Sequence, residues 1–236
     1  MRLLLALLLL SAGARAEELT VFAAASLRES LLDLAEGFEQ QHAGVHVALQ
    51  FAGSQQLRVQ IENGARADVF ASADEAQMAK LGELAPRPAI FAHNEPVLIV
   101  PRDNPAGLTV FRDLPRARSV VLGAVEVPVG AYTARILAAA NMDIEAQVVS
   151  RELNVRSVLT KVALGEADAG IVYRTDAISA GNDVRIIPIP AELNVRAGYP
   201  IAVLAHAPQP ALAAQFVELV RSPAGRKALE RFGFLP

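Results

Sequence analysis

Short apolar runs alternate with helix-patterned stretches along nearly the whole chain, and that alternation limits the fold more than any other feature. Residues 19–24 form a compact apolar run. Residues 27–41 follow with Leu27, Leu31, Leu34, Ala35 and Phe38 at helical spacing. Residues 45–51 suggest a second strand. Residues 54–63 suggest a helix, with Leu57 and Ile61 four apart and Asn63-Gly64 to stop it. A third strand at 68–71 and a helix at 74–84 complete this series. A proline-bracketed strand at 96–101 follows, and then the pattern restarts. Strands are predicted at 120–122, 146–149, 169–173 and 199–204. Helices are predicted at 130–140, 155–164 and 175–180, with two closing helices at 210–220 and 223–232. Strands and helices in alternation, joined by short links, predict α/β layers with mostly parallel sheets. The middle segment has the pattern of an α/β unit inserted into the first. No internal repeat or low-complexity linker interrupts it.

The first 16 residues stand apart from this pattern. Met1-Arg2 is a positive start, residues 3–10 are seven Leu and one Ala, and Ala14-Arg15-Ala16 is a small-x-small site. Charge, short apolar core and small residues in that order predict a cleavable secretory leader spanning 1–16. The core is less than half the roughly 20 apolar residues a membrane span requires. Cleavage would leave a chain starting at Glu17. With Arg2 and Arg15 gone, 20 basic residues face 25 acidic ones, and the formal charge moves from −3 to −5.

Composition removes several function classes. Apolar residues make up 53% of the chain, enough to bury a core and offset the entropy of ordering it. With no cysteine, the chain has neither a disulfide framework nor a Cys-ligated zinc or iron–sulfur centre. It also has no cysteine to carry a lipid after export, which predicts a released protein retained in a periplasm. A mildly acidic chain without a basic run is poorly suited to nucleic acid, where affinity rests on neutralising phosphates. No G-x-S-x-G, H-E-x-x-H or P-loop pattern occurs. His42 and His46 are four apart, but Gly44 lies between them, so a solvated helix end is expected there rather than a zinc pair.

The remaining chemical signal lies where strands run into helices. Ser26 with Glu29 predicts an S-x-x-E capping box after the first strand. Gly53-Ser54 occupies the second junction, with Gly53 allowing close backbone approach. Pro128 and Gly130 shape a third junction, and Asn154 can cap the helix after a fourth. Tyr173 ends a buried strand with a polar tip. A lone capping serine is usually structural. Two such junctions in succession, flanked by small residues, place free N–H donors at the carboxyl edge of the sheet, where α/β proteins bind ligands and helix starts favour anions.

In order and spacing, five segments resemble the periplasmic molybdate-binding proteins of ABC transporters. They are L-T-V-F-A-A-A-S-L (19–27), F-A-G-S-Q-Q-L (51–57), A-D-V-F-A-S-A-D (67–74), V-P-V-G-A-Y (127–132) and G-E-A-D-A-G-I-V-Y-R-T-D-A (165–177). The resemblance implies a two-lobed type II periplasmic binding protein fold of class α/β. Each lobe would be a mixed, mostly parallel sheet flanked by helices, with a cleft between. Lobe one would comprise 17–95 plus 198–236, and lobe two 96–197. The resemblance further implies that a molybdate or tungstate oxyanion is held by the hydroxyl and backbone N–H of Ser26 and of Ser54, the backbone N–H of Val129 and Val155, and the Tyr173 hydroxyl. No protein atom would ligate the metal directly, and no cofactor is required. The implied partner is an inner-membrane ABC permease, served by a monomeric receptor that is not an enzyme. Where Val129 stands, the family often has Ala, and Tyr132 is close enough in sequence to compete with Tyr173.

Neutral donors suit such a ligand. A dianion in a dry cleft must have its lone pairs met, or desolvation wins. Donors alone favour a fully deprotonated oxyanion, because a protonated one also needs an acceptor. Two alternatives stay open at this point: a receptor for sulfate or another tetrahedral oxyanion, and a secreted α/β enzyme in which Ser26 or Ser54 is a nucleophile with a base beside it.

Overall fold

The computed structural model describes residues 17–235; the expected leader lies outside the described residues. The first strand, β1 (Glu17–Ala24), leads through a short 3₁₀ turn into α1 (Arg28–Gln41). Leu31, Leu34, Ala35 and Phe38 bury along one face of α1, as their spacing predicts. Next come β2 (Val45–Ala52), α2 (Ser54–Glu62), β3 (Val69–Ala71), α3 (Glu75–Ala79) and β4 (Ala89–Asn94). The predicted helix over 74–84 is thus two pieces, α3 and a 3₁₀ turn at Gly82–Leu84.

The middle of the chain holds β5 (Pro96–Pro101), β6 (Val120–Gly123), α4 (Pro128–Ala139), β7 (Val148–Glu152), α5 (Val155–Ala163), β8 (Ala169–Tyr173), α6 (Arg174–Ser179) and β9 (Val184–Ile187). It closes with β10 (Ala197–Val203), α7 (Pro210–Arg221) and α8 (Pro223–Arg231).

These strands form two five-stranded sheets, ordered β2-β1-β3-β10-β4 and β7-β6-β8-β5-β9. In the first, β1 runs parallel to β2 and β3, while β10 is antiparallel to β3 and β4. In the second, β6 runs parallel to β7 and β8, while β5 is antiparallel to β8 and β9. Each sheet is therefore mixed: a parallel strand–helix series plus one strand that reverses direction. The architecture is α/β and two-lobed. The chain leaves the first sheet through Glu95, between β4 and β5, and returns to it at β10.

Two strands escaped the sequence reading. In β9 only the end residues are buried, so the strand lacks the alternation that marks a half-buried strand. It lies at a sheet edge, where burial constrains side chains least. The other, β4, is also an edge strand; it carries His93 and Asn94 and buries Phe91, Ala92 and Asn94.

Candidate functional site

The carboxyl ends of β1, β2, β6, β7 and β8 and the segments after them converge between the lobes. Ser26, Ser54, Val129, Val155 and Tyr173 all line one cavity there, together with small neighbours such as Ala25, Gly53 and Ala73. The structure thus brings together all five residues singled out from the sequence. The cavity is about 10 Å³, room for the centre of a single water-sized body. Among the described residues, no charged side chain lines it.

Three of the five lie in first turns of α-helices, where backbone N–H groups have no intrahelical acceptor. Ser54 opens α2 and Val155 opens α5. Val129 follows Pro128 at the start of α4, two residues earlier than the predicted helix start at Gly130. Pro suits this first position because its missing N–H would be unpaired anyway. Asn154 caps α5 as expected, accepting from the Ser157 N–H at 3.0 Å.

Ser26 corrects the sequence reading. It lies within the 3₁₀ turn Ala25–Leu27, and its side chain caps nothing. Its Oγ lies 2.9 Å from the Tyr199 hydroxyl instead, and Glu29 pairs with Arg156 of α5. The predicted capping box does not form because both of its side chains are engaged by long-range partners. Ser54 Oγ accepts the Ala73 N–H at 3.0 Å, which leaves the serine proton free for a further acceptor. Neither hydroxyl is bonded to a His or a carboxylate; their partners are a phenol and a backbone N–H.

Tyr173 is 1% exposed, and its hydroxyl has no hydrogen-bond partner among the described residues. Buried unpaired hydroxyls are uncommon and costly. Burial raises its pKa well above the ordinary phenol value, so the group stays protonated and can only serve the cavity as a neutral hydroxyl. Tyr132 does not line the cavity; its ring packs edge-on against Tyr173, with centroids 6.4 Å apart.

Contacts between the lobes are made by residues close in sequence to the lining. Gln55 Nε2 donates to the Leu153 carbonyl at 2.7 Å, and Gln77 Nε2 donates to the Glu126 carbonyl at 3.1 Å. At Gly53 a Cβ would come within 2.4 Å of the Leu153 carbonyl oxygen, so a side chain there would hold the lobes apart. Gly130 is equally restricted within its own lobe, where a Cβ would meet the Ala124 carbonyl oxygen at 1.9 Å. His42 and His46 share no site: His42 bonds to the Phe38 carbonyl and Gln215, and His46 pairs with Glu39.

Sequence reasoning missed Tyr199 and Asn94. Both are buried, and Asn94 Nδ2 lies 3.3 Å from the Tyr199 hydroxyl behind Ser26. Ser26 and Tyr199 are 173 positions apart, and nothing local in the sequence pairs them.

Fold and site together define a two-lobed binding protein with a small cavity between its lobes, lined by hydroxyl-bearing and first-turn residues. The chain belongs to the bacterial extracellular solute-binding proteins, whose family model matches residues 19–235. It is 44% identical over 223 residues to the molybdate-binding protein ModA of Mycobacterium tuberculosis, covering 93% of this chain and 85% of that one. Among solved structures it resembles the periplasmic molybdate-binding protein of Azotobacter vinelandii, with TM-score 0.81 and 23% identity over 92% of this chain and 99% of that one. It equally resembles the sulfate-binding protein SubI of M. tuberculosis, with TM-score 0.83 and 20% identity over 93% of this chain and 87% of that one. At such identities the two structures establish the fold and leave the anion to be decided by the site. Among the described residues no helix is long and apolar enough to cross a membrane.

Proposed function

We propose that this protein is a periplasmic receptor that captures molybdate, and tungstate with it, and delivers the anion to an inner-membrane ABC permease. The observation that carries the reading is the Tyr173 hydroxyl, buried without a partner among the described residues in a cavity that it shares with Ser26, Ser54, Val129 and Val155. The similarity to a molybdate-binding protein over 93% of the chain supports molybdate as the anion. Ser26 and Ser54 would donate from the lobe formed by 17–95 plus 198–236, and Val129, Val155 and Tyr173 from the lobe formed by 96–197. A five-atom oxyanion needs more room than the narrow cavity gives, so the lobes part to admit it and close until donors from both sides meet its oxygens.

The protein acts as a monomer without a cofactor and performs no catalysis. The phenol and backbone partners of the two serines support this over a nucleophile–base arrangement. Residues 1–16 are removed on export, leaving Glu17 as the first residue.

Thermal unfolding with added anions tests the proposal. Molybdate at ~100 times its dissociation constant stabilises the folded state by roughly 2.7 kcal/mol. A melting temperature unmoved by micromolar molybdate but raised by sulfate would assign the site to sulfate. Competition calorimetry among molybdate, tungstate and sulfate then ranks the three.

A further inference from the structure

A buried chain of hydrogen bonds runs behind Ser26, on the side away from the cavity. Asn94 ends β4, one residue before the chain crosses to the second lobe. Its Oδ1 accepts the Glu95 N–H at 3.0 Å, which fixes the amide so that Nδ2 faces inward. That Nδ2 donates to Thr175 Oγ1 of the second lobe at 2.9 Å and to the Tyr199 hydroxyl oxygen at 3.3 Å. Asn94 and Tyr199 are both 0% exposed, so no bulk water competes for these groups.

The directions of the bonds follow from the donor inventory. An amide nitrogen only donates, so the Tyr199 oxygen is an acceptor toward Asn94. Tyr199 has one proton of its own, and among the described residues the remaining polar atom bonded to its hydroxyl is Ser26 Oγ at 2.9 Å. If Ser26 donated instead, the phenol proton would be buried without an acceptor, an unfavourable arrangement. Tyr199 therefore donates to Ser26, and the serine proton is left to turn toward the cavity. Desolvation by burial raises the Tyr199 pKa well above the ordinary phenol value, so its proton is present throughout the physiological range.

We propose that Tyr199, held by Asn94, is a positioning residue that sets Ser26 as an obligate donor to the bound oxyanion. The role parallels that of the Ala73 N–H toward Ser54. In each serine a protein donor already occupies the oxygen, so the proton that remains faces the ligand. The inference rests on the reading of the cavity as an oxyanion site.

A double-mutant cycle read by molybdate calorimetry tests it, with the ligand-free melting temperature as the control for folding. Tyr199→Phe weakens molybdate binding by about tenfold, the order expected when one hydrogen bond to a charged group loses its orientation. In a Ser26→Ala background the same substitution changes affinity by less than about twofold, because the group it acts through is gone. An equal loss in both backgrounds, or no loss in the wild-type background, overturns the role. Should Tyr199→Phe not fold, Asn94→Ala carried through the same cycle gives the same test. Ser54→Ala separates the two levels of inference, since Ser54 has no bond to Tyr199. If neither Ser54→Ala nor Ser26→Ala alters molybdate affinity, the oxyanion reading fails. If both weaken binding and Tyr199→Phe does not, only the relay fails.

Discussion

Arg156 Nε lies 2.7 Å from Asp176 Oδ1, an ion pair within the second lobe whose carboxylate is 0% exposed. The same guanidinium pairs with Glu29 on α1 of the first lobe. Arg156 follows Val155, so one residue of the cavity wall is adjacent in sequence to a charge that bridges the lobes.

Burial pushes the Asp176 carboxyl up to about 7, against the pull of Arg156. A raised carboxyl pKa means that the folded state favours the protonated form. The stability it contributes is complete below the unfolded value near 3.8 and is lost as pH rises through about 7. Asp176→Asn, neutral at every pH, is expected to flatten that decline. Denaturant unfolding of the ligand-free protein at pH 5 and pH 8 checks this, and a pH dependence identical to wild type would refute it.

Tyr173→Phe separates binding from folding. The hydroxyl has no partner within the described chain, so its removal leaves ligand-free stability unchanged or slightly raised. Molybdate affinity is expected to fall by roughly 10- to 100-fold, the worth of a hydrogen bond to a charged group. Paired melting and calorimetry report both quantities; a large loss of ligand-free stability would instead make the hydroxyl structural.

Gly53→Ala probes the approach of the lobes. The backbone at Gly53, with φ −63° and ψ 138°, suits any L-residue, so the fold itself tolerates the methyl. The obstacle is the Leu153 carbonyl oxygen, 2.4 Å from the new Cβ. Affinity should drop by at least about tenfold, roughly the 1.4 kcal/mol of a modest steric clash. Solution scattering in saturating molybdate should show a less compact particle than wild type, and equal compactness and affinity would sink the prediction.

Val129→Ala tests whether the backbone or the side chain of that residue serves the site. Val129 is fully buried, so losing two methyl groups costs about 1–3 kcal/mol of stability. The first-turn N–H remains, and molybdate affinity should stay within about threefold of wild type, well under the effect of losing a hydrogen bond. A larger change measured by calorimetry would mean that the side chain shapes the cavity.

Much of this architecture was legible before the structure. Leu31, Leu34, Ala35 and Phe38 marked α1 because a helix facing a sheet must bury one stripe. Ser54, Asn154 and Tyr173 stand out because a strand-to-helix junction leaves local chemical marks, whereas Val129 and Val155 follow only from the family resemblance. Ser26 lines the cavity, but local spacing pairs it with Glu29 while the fold supplies Tyr199. Asn94 and Thr175, 81 positions apart, show the limit most plainly. Their contact depends on how β4 and α6 meet after the chain has crossed between lobes, and no periodicity encodes that.

Beside the cavity the second lobe offers main-chain atoms to its partner, while Arg156 and Thr175 reach Glu29 and Asn94 through side chains. Leu153 and Glu126 present carbonyls to the glutamines of the first lobe, and Val129 and Val155 lie in first helical turns, where backbone N–H groups have no intrahelical acceptor. Selection at these four positions therefore acts on the path of the chain more than on side-chain identity. The first lobe is under the opposite regime, because Ser26, Ser54, Gln55 and Gln77 act through side-chain atoms. Drift should accumulate at these main-chain positions and be purged from side-chain positions such as Ser26, Ser54 and Tyr173. The constraint at those positions passes to Pro128 and Gly130, which shape the backbone there.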